Sequence, residues 1–247
     1  MRSLLVLVLL SVPAFADDKL GGPELAAADA NDAAYDRGFL TSTAKLLEAG
    51  EIEASLRGGA SYWDRGALVS VTAGLGNRLE VSFGALAGPV RGVGGGVKVA
   101  VFTRPTWSIA AVASVTRSDG SAPETLALAT VRLTTCMFSA CQVQVTAGIG
   151  GGVDLVPTNR DYSDLLGSRA APIQLDGSVM FGTGLLRPLL EGMIMEGSLI
   201  LVGVRLATSH VSLDLGVGRA VPPTAYDVYA EPTRAATIGV GGIALRP

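Results

Sequence analysis

Apolar residues occupy every second position in a series of stretches, each about ten residues long, between Glu51 and Arg246. The clearest example is 142–149, where Val, Val, Ala and Ile alternate with Gln, Gln, Thr and Gly. Successive side chains of a β-strand point to opposite faces, so each stretch has one apolar and one polar face. The pattern therefore predicts amphipathic strands along most of the chain.

The predicted strands number about twelve, and their connections differ in length at the two ends. Short connections such as 104–106 and 208–209 alternate with longer ones, of which 154–171 and 220–235 are the longest. Tight turns at one end and long loops at the other are typical of outer-membrane barrels, and an even strand number leaves both chain ends in the periplasm. We therefore predict an all-β fold, a transmembrane antiparallel up-and-down β-barrel. Its predicted strands are 51–62, 67–75, 79–87, 93–103, 107–117, 125–135, 141–153, 172–182, 187–196, 198–207, 210–219 and 236–246.

The composition agrees with a protein that crosses a membrane with strands. Hydrophobic residues make up 49% of the chain and the mean hydropathy is +0.44, yet small, polar or charged residues interrupt the apolar runs that follow the N-terminus. A barrel that turns its apolar half towards lipid explains both features. The net charge of −3 is nearly neutral and no basic block is present, so nucleic acid is not an expected partner.

The N-terminal residues predict export. Arg2 precedes an apolar core at 4–12, and Ala14-Phe15-Ala16 has the small-x-small pattern of a signal-peptide cleavage site. We predict a cleaved signal peptide at 1–16, a periplasmic lead-in segment at 17–49 and the barrel at 50–247. The lead-in is rich in Ala, Asp and Glu and does not alternate. A plug or a small folded domain is the alternative for this segment.

The two cysteines, Cys136 and Cys141, flank a predicted turn between two strands. A disulfide at this position suits hairpin geometry and the oxidising periplasm. The spacing does not match a C-x-x-C metal or redox motif, and the only histidine is distant in sequence. We therefore predict a structural disulfide and no metal site.

Strand alternation also predicts which residues face the barrel interior. Both signs of charge occur there, so opposite charges either pair and fill the lumen or line a thin aqueous path. No cofactor is expected, because the glycine clusters at 94–96 and 150–152 lack the G-x-G-x-x-G spacing and a following helix. The predicted lumen-facing residues are Glu53, Arg57, Glu80, Lys98, Arg132, Asp176, Arg205, His210 and Asp214.

The lead-in pattern Thr43-Ala44-x-x-Leu47-x-x-Gly50-Glu51 and the Gly-Asn-Arg-Leu-Glu-Val turn at 76–81 resemble the poorly characterised outer-membrane β-barrel proteins of Gram-negative bacteria. The resemblance implies a location in the outer membrane, contact with outer-membrane lipid and insertion by the barrel assembly machinery. Such barrels usually end in an aromatic residue, whereas this chain ends in Arg246-Pro247. Aromatic girdles are expected to be thin, with Tyr62 and Trp63 on one rim and Phe102 and Trp107 on the other.

Two functions from different classes follow. The first is a non-enzymatic outer-membrane barrel, either a narrow pore or a structural and surface-interaction protein whose long loops meet an external ligand that the sequence does not identify. The alternative is an acyl hydrolase of the phospholipase or lipid A deacylase type, because His210, Ser212 and Asp214 share one strand face. The chain resembles those outer-membrane enzymes in having a His-x-Ser pair on one strand. Three polar residues on an inward face are, however, what any barrel strand shows, so the first function is preferred.

Overall fold

The computed structural model describes residues 42–246 except 62–64, 77, 90, 105, 120–122, 139–140, 156–172, 183, 195–197, 209 and 222–235. Within this part of the chain, no helix is long and apolar enough to span a membrane. The described residues form twelve strands, as the alternation predicted. They are β1 (Ile52–Ser61), β2 (Arg65–Gly74), β3 (Leu79–Ala87), β4 (Arg91–Thr103), β5 (Trp107–Asp119), β6 (Pro123–Met137), β7 (Val143–Asp154), β8 (Ile173–Phe181), β9 (Leu186–Ile194), β10 (Ser198–Ala207), β11 (Val211–Val221) and β12 (Ala236–Leu245).

Each strand pairs antiparallel with its neighbours in sequence, and β12 pairs with β1 to close the barrel. The closing register runs from Ala54 opposite Leu245 to Ser61 opposite Ile238. The turns after β2, β4, β6, β8 and β10 lie at one end, which we call the short-turn end, together with the start of β1 and the end of β12. The opposite end, the long-loop end, carries the connections that follow the odd-numbered strands. The predicted all-β, up-and-down barrel is therefore confirmed.

The outer wall is apolar, and this follows directly from the two-residue period of the strands. Outward side chains include Phe83, 70% exposed, and Val93, 61% exposed, whereas inward neighbours such as Lys98 are fully buried. Apolar side chains that stand exposed all around a closed wall need lipid rather than water as their solvent. The outer wall is therefore that of a membrane-spanning barrel.

Aromatic side chains mark the short-turn end. A bulge between Ala100 and Phe102 turns both Val101 and Phe102 outward. Phe102 then stacks on Trp107 with ring centroids 4.5 Å apart, and the Arg104 guanidinium lies 5.2 Å from the Phe102 ring. Aromatic rings are favoured at the membrane interface, where one side is apolar and the other is wet. Tyr62 and Trp63, predicted for the other rim, lie outside the described residues.

The β6–β7 turn is closed by a disulfide, as predicted. Cys136 and Cys141 are bonded, with their Cα atoms 4.7 Å apart. Phe138 and Cys141 adopt positive φ angles of 65° and 53°. The covalent bond holds the turn in this backbone conformation, which residues other than glycine rarely adopt.

Candidate functional site: the barrel lumen

The lumen contains nearly all of the residues that the alternation pointed inward. Arg57 is half-buried on β1, and the others on strands are buried on the inner wall; these buried residues are Glu53, Glu80, Lys98, Arg132, Asp176, Arg205 and Asp214. Glu80 and Lys98 are directly opposite each other on β3 and β4. Most of these charges lie in the half of the lumen near the short-turn end. The interior there is polar, charged and densely packed.

His210 has a different position from the rest of the predicted set. It precedes β11 and is exposed, because Thr208 and Val211 close a tight turn around it. The Thr208 backbone N–H donates to the Val211 carbonyl at 2.8 Å, and the Val211 N–H donates to Thr208 Oγ1 at 3.1 Å. The predicted strand at 210–219 is thus found at Val211–Val221. A turn that begins with a threonine in this way keeps its first residues out of the hydrogen-bonded strand pairing.

Arg205 and Asp214 form a bidentate ion pair across β10 and β11. Arg205 Nε lies 2.6 Å from Asp214 Oδ1, and Arg205 Nη2 lies 2.7 Å from Asp214 Oδ2. The two residues are register partners and both side chains are 2% exposed. Planar fork-to-carboxylate pairing is the geometry that arginine favours in buried sites. Both carboxylate oxygens of Asp214 are engaged by Arg205, whereas the acidic residue of a hydrolase triad holds the histidine, and His210 is exposed.

A second ion pair reaches across an intervening strand. Arg132 Nη2 on β6 donates to Asp176 Oδ2 on β8 at 2.8 Å, and Gln174 Nε2 donates to the same oxygen at 2.7 Å. Gly148 of β7 stands between them in register. A Cβ atom at Gly148 would lie 2.8 Å from Asp176 Oδ1 and 3.0 Å from Oδ2. The missing side chain therefore provides the space through which the pair meets.

The end of the predicted periplasmic segment lies inside the barrel. Ala44 is fully buried and Leu47 is 1% exposed. The Ser42 carbonyl accepts a 2.8 Å hydrogen bond from Arg132 Nη1. The Ala44 N–H donates to Thr134 Oγ1 at 2.7 Å, and the Leu47 N–H donates to Glu80 Oε2 at 2.9 Å. Residues 42–47, which we call the luminal segment, thus have three backbone groups bound by inward side chains of β3 and β6. This is the position that the plug alternative implies.

A turn at 48–51 leads the chain from the lumen into β1. The Glu51 N–H donates to the Glu48 carbonyl at 3.0 Å, and the Gly50 N–H donates to the Gly74 carbonyl at 2.9 Å. Gly50 has a φ of +88°, which glycine adopts without steric cost. A Cβ atom on Gly74 would collide with the Glu48 carbonyl and lie 2.8 Å from the Leu47 carbonyl. Glycine at position 74 therefore lets the luminal segment lie directly against the end of β2.

Among the residues that the structure describes, three further inward charges were not in the predicted set. Arg187 and Glu191 are buried on β9, and Arg246 is 8% exposed just after β12. Arg246 Nε and Nη2 both lie 3.0 Å from Glu53 Oε2. The signal for the β9 pair was present, because Arg187, Leu189 and Glu191 alternate with apolar outward residues. The role of Arg246 depends on barrel closure, which brings it to β1.

Along β8 to β12, apolar side chains interrupt the polar inner wall. Buried apolar side chains pack together there, with Ile238 and Val240 of β12 against them. Its buried members are Met180, Leu189, Met193, Leu199, Leu201 and Ala220. At these positions both faces of the strands are apolar. The inward side chains form an apolar cluster that fills part of the interior. No group of three or more metal-ligating side chains occurs among the residues that the structure describes.

The barrel is similar in fold to solved outer-membrane proteins. The KdgM porin matches with a TM-score of 0.58 at 9% identity, covering 78% of this chain and 98% of that chain. The NanC porin matches with a TM-score of 0.62 at 12% identity and the same coverage. The outer-membrane protein Omp33 of Acinetobacter baumannii matches with a TM-score of 0.50 at 10% identity, covering 80% of this chain and 98% of that chain. No protein-family model and no curated protein matches the sequence.

Proposed function

We propose that this chain forms a narrow, non-enzymatic passage through the outer membrane and that its luminal segment restricts that passage from the periplasmic side. The main supporting observation is that Ser42, Thr43, Ala44 and Leu47 are buried and that backbone groups of this segment are bound by inward side chains of β3 and β6. The fold shared with porins supports a passage, and the apolar outer wall supports an outer-membrane location. We assign the short-turn end to the periplasm. In outer-membrane barrels the tight turns, the start of the first strand and the end of the last strand lie on that side.

The contacts of the luminal segment suit a restriction that can be displaced. They are hydrogen bonds between single side chains and backbone groups, and each contributes about 1 kcal/mol net, or about 2 kcal/mol where the side chain is charged. The barrel wall is held instead by continuous ladders on both sides of every strand. The segment can therefore leave the lumen at a cost well below that of opening the wall. Once it has left, Glu80, Arg132 and Thr134 would line the vacated space.

The test is the single-channel conductance of the purified chain in planar bilayers. In a Gly74→Leu variant, the new side chain occupies the space now held by the Leu47 and Glu48 carbonyls, so it should displace the luminal segment. We expect a conductance several-fold above that of the unmodified chain. Gly192→Leu is the matched control, because a Cβ atom there meets only the Leu199 carbonyl, at 3.8 Å, on the lipid-facing side. Equal conductance for all three proteins would contradict the restriction.

A further inference from the structure

Charged residues on the outer wall are confined to one rim. Among strand residues whose side chains the structure describes, outward-facing charges occur only within the three positions nearest the long-loop end. Four are cationic and one is anionic. They are Arg65 of β2, Arg91 of β4, Arg117 and Asp119 of β5, and Arg219 of β11. Every one of these arginines is exposed, and Arg117 is 63% exposed.

The position of these arginines along the strands matches the edge of a bilayer. On β5, Trp107 belongs to the aromatic rim at the short-turn end, and Arg117 follows it by ten residues. At about 3.3 Å per residue and a strand tilt of about 40°, this separation corresponds to roughly 25 Å along the barrel axis, the height of the apolar band. The outward residues between them are apolar. Arg117 therefore lies at the level of the lipid headgroups.

Two of the four arginines lie close together and form an arc of the rim. Arg91 is the register partner of Asp119, and Arg117 is the register partner of Val93, so Arg91 and Arg117 are close on neighbouring strands. The Arg117 Nε to Asp119 Oδ1 contact of 3.6 Å is highly exposed and thus weak. The arc keeps a net positive charge.

We propose that this arc, formed by Arg91 and Arg117, binds the phosphate of an anionic lipid in the leaflet at the long-loop end. A guanidinium group offers paired donors that match phosphate oxygens. The side chains emerge from the lipid-facing wall directly above Val93 and Val115, so a lipid whose chains lie on these valines places its headgroup at the arc. A soluble anion would not gain the second contact. Lipid is therefore the occupant that the geometry favours.

The experiment titrates phosphatidylglycerol into the folded full-length chain in neutral detergent and measures the bound lipid by native mass spectrometry. The double variant Arg91→Gln/Arg117→Gln should weaken binding roughly 25-fold, since each juxtamembrane cation contributes about fivefold. Arg91→Lys/Arg117→Lys should retain most of the affinity. Asp119→Asn should strengthen binding, because it removes the only anion of the rim that the structure describes.

The position control is Arg78→Gln/Arg104→Gln, which makes the same charge change in turns at the short-turn end and should weaken binding less than threefold. Each variant is first shown to be folded by its faster migration on unboiled gels. Equal weakening by the two glutamine double variants, or none by either, would overturn the proposal. Displacement of the lipid by millimolar inorganic phosphate would also overturn it, by showing a site for the free anion.

Discussion

At the scale of single residues, the lumen is organised by arginine–carboxylate pairs whose partners come from different strands. Arg205 binds Asp214 on the adjacent strand, and Arg132 binds Asp176 two strands away through the space at Gly148. A buried charge costs free energy unless its partner is present, so each pair depends on the register of the strands that carry it. The pairs therefore favour the native register over a slipped one.

We predict strong coupling between Arg205 and Asp214. Arg205→Met or Asp214→Leu alone should lower the free energy of unfolding by about 3 kcal/mol, because each leaves a buried charge without its partner. The double variant should lose much less than the sum of the two. Urea unfolding of the protein in lipid vesicles measures all three changes.

The exposed pair Arg117 and Asp119 supplies the comparison, with an expected coupling below about 1 kcal/mol. Additive losses for Arg205 and Asp214 would show that the buried contact does not stabilise the barrel.

At the scale of elements, the β6–β7 hairpin is the one whose turn is covalently closed among the described turns. Replacing Cys136 and Cys141 together by serine should lower the free energy of unfolding by about 2 kcal/mol, the chain-entropy contribution of so short a loop. Comparing unfolding midpoints of the parent with and without reductant checks the same quantity independently. The double serine variant should not respond to reductant. A parent protein that alkylates at both cysteines without reduction would contradict the bond.

The inward positions of the strands could be predicted from the sequence, whereas the position of the luminal segment could not. Inward positions such as Glu80, Lys98 and Arg132 were predictable because strand parity is a local rule with a period of two. The luminal segment followed no such rule: Ala44 contacts Thr134, 90 residues away, and Leu47 contacts Glu80, 33 residues away. Contacts of this range depend on the closed barrel. A non-alternating segment rich in Ala, Asp and Glu therefore showed only that it was not a strand.

At the scale of the whole molecule, closure depends on the seam between β1 and β12. Eight register pairs join the two strands, and Arg246 adds an ion pair to Glu53 from just beyond β12. The Arg246 N–H also donates to the His210 carbonyl at 2.8 Å, which ties the chain end to the β10–β11 turn. Arg246 thus contributes to closure.

We predict that Arg246→Gln weakens the seam. The loss of a charged hydrogen bond pair should lower the free energy of unfolding by about 2 kcal/mol. On gels, the fast-migrating folded form of the variant should disappear at a lower temperature than that of the parent. Arg78→Gln, in an exposed turn, is the control and should leave this temperature unchanged. An identical temperature for Arg246→Gln and the parent would show that the ion pair does not hold the seam.

Thiol labelling measures whether the luminal segment lies inside the barrel wall. Both native cysteines are in the disulfide, so a single introduced cysteine is the only reactive thiol. With a bulky, membrane-impermeant maleimide, Ala44→Cys should react slowly in the folded protein and rapidly after heat unfolding, because Ala44 is fully buried. Glu48→Cys, at an exposed position one turn from β1, should react rapidly in both states. Equal, rapid labelling of the two cysteines in the folded barrel would contradict the account.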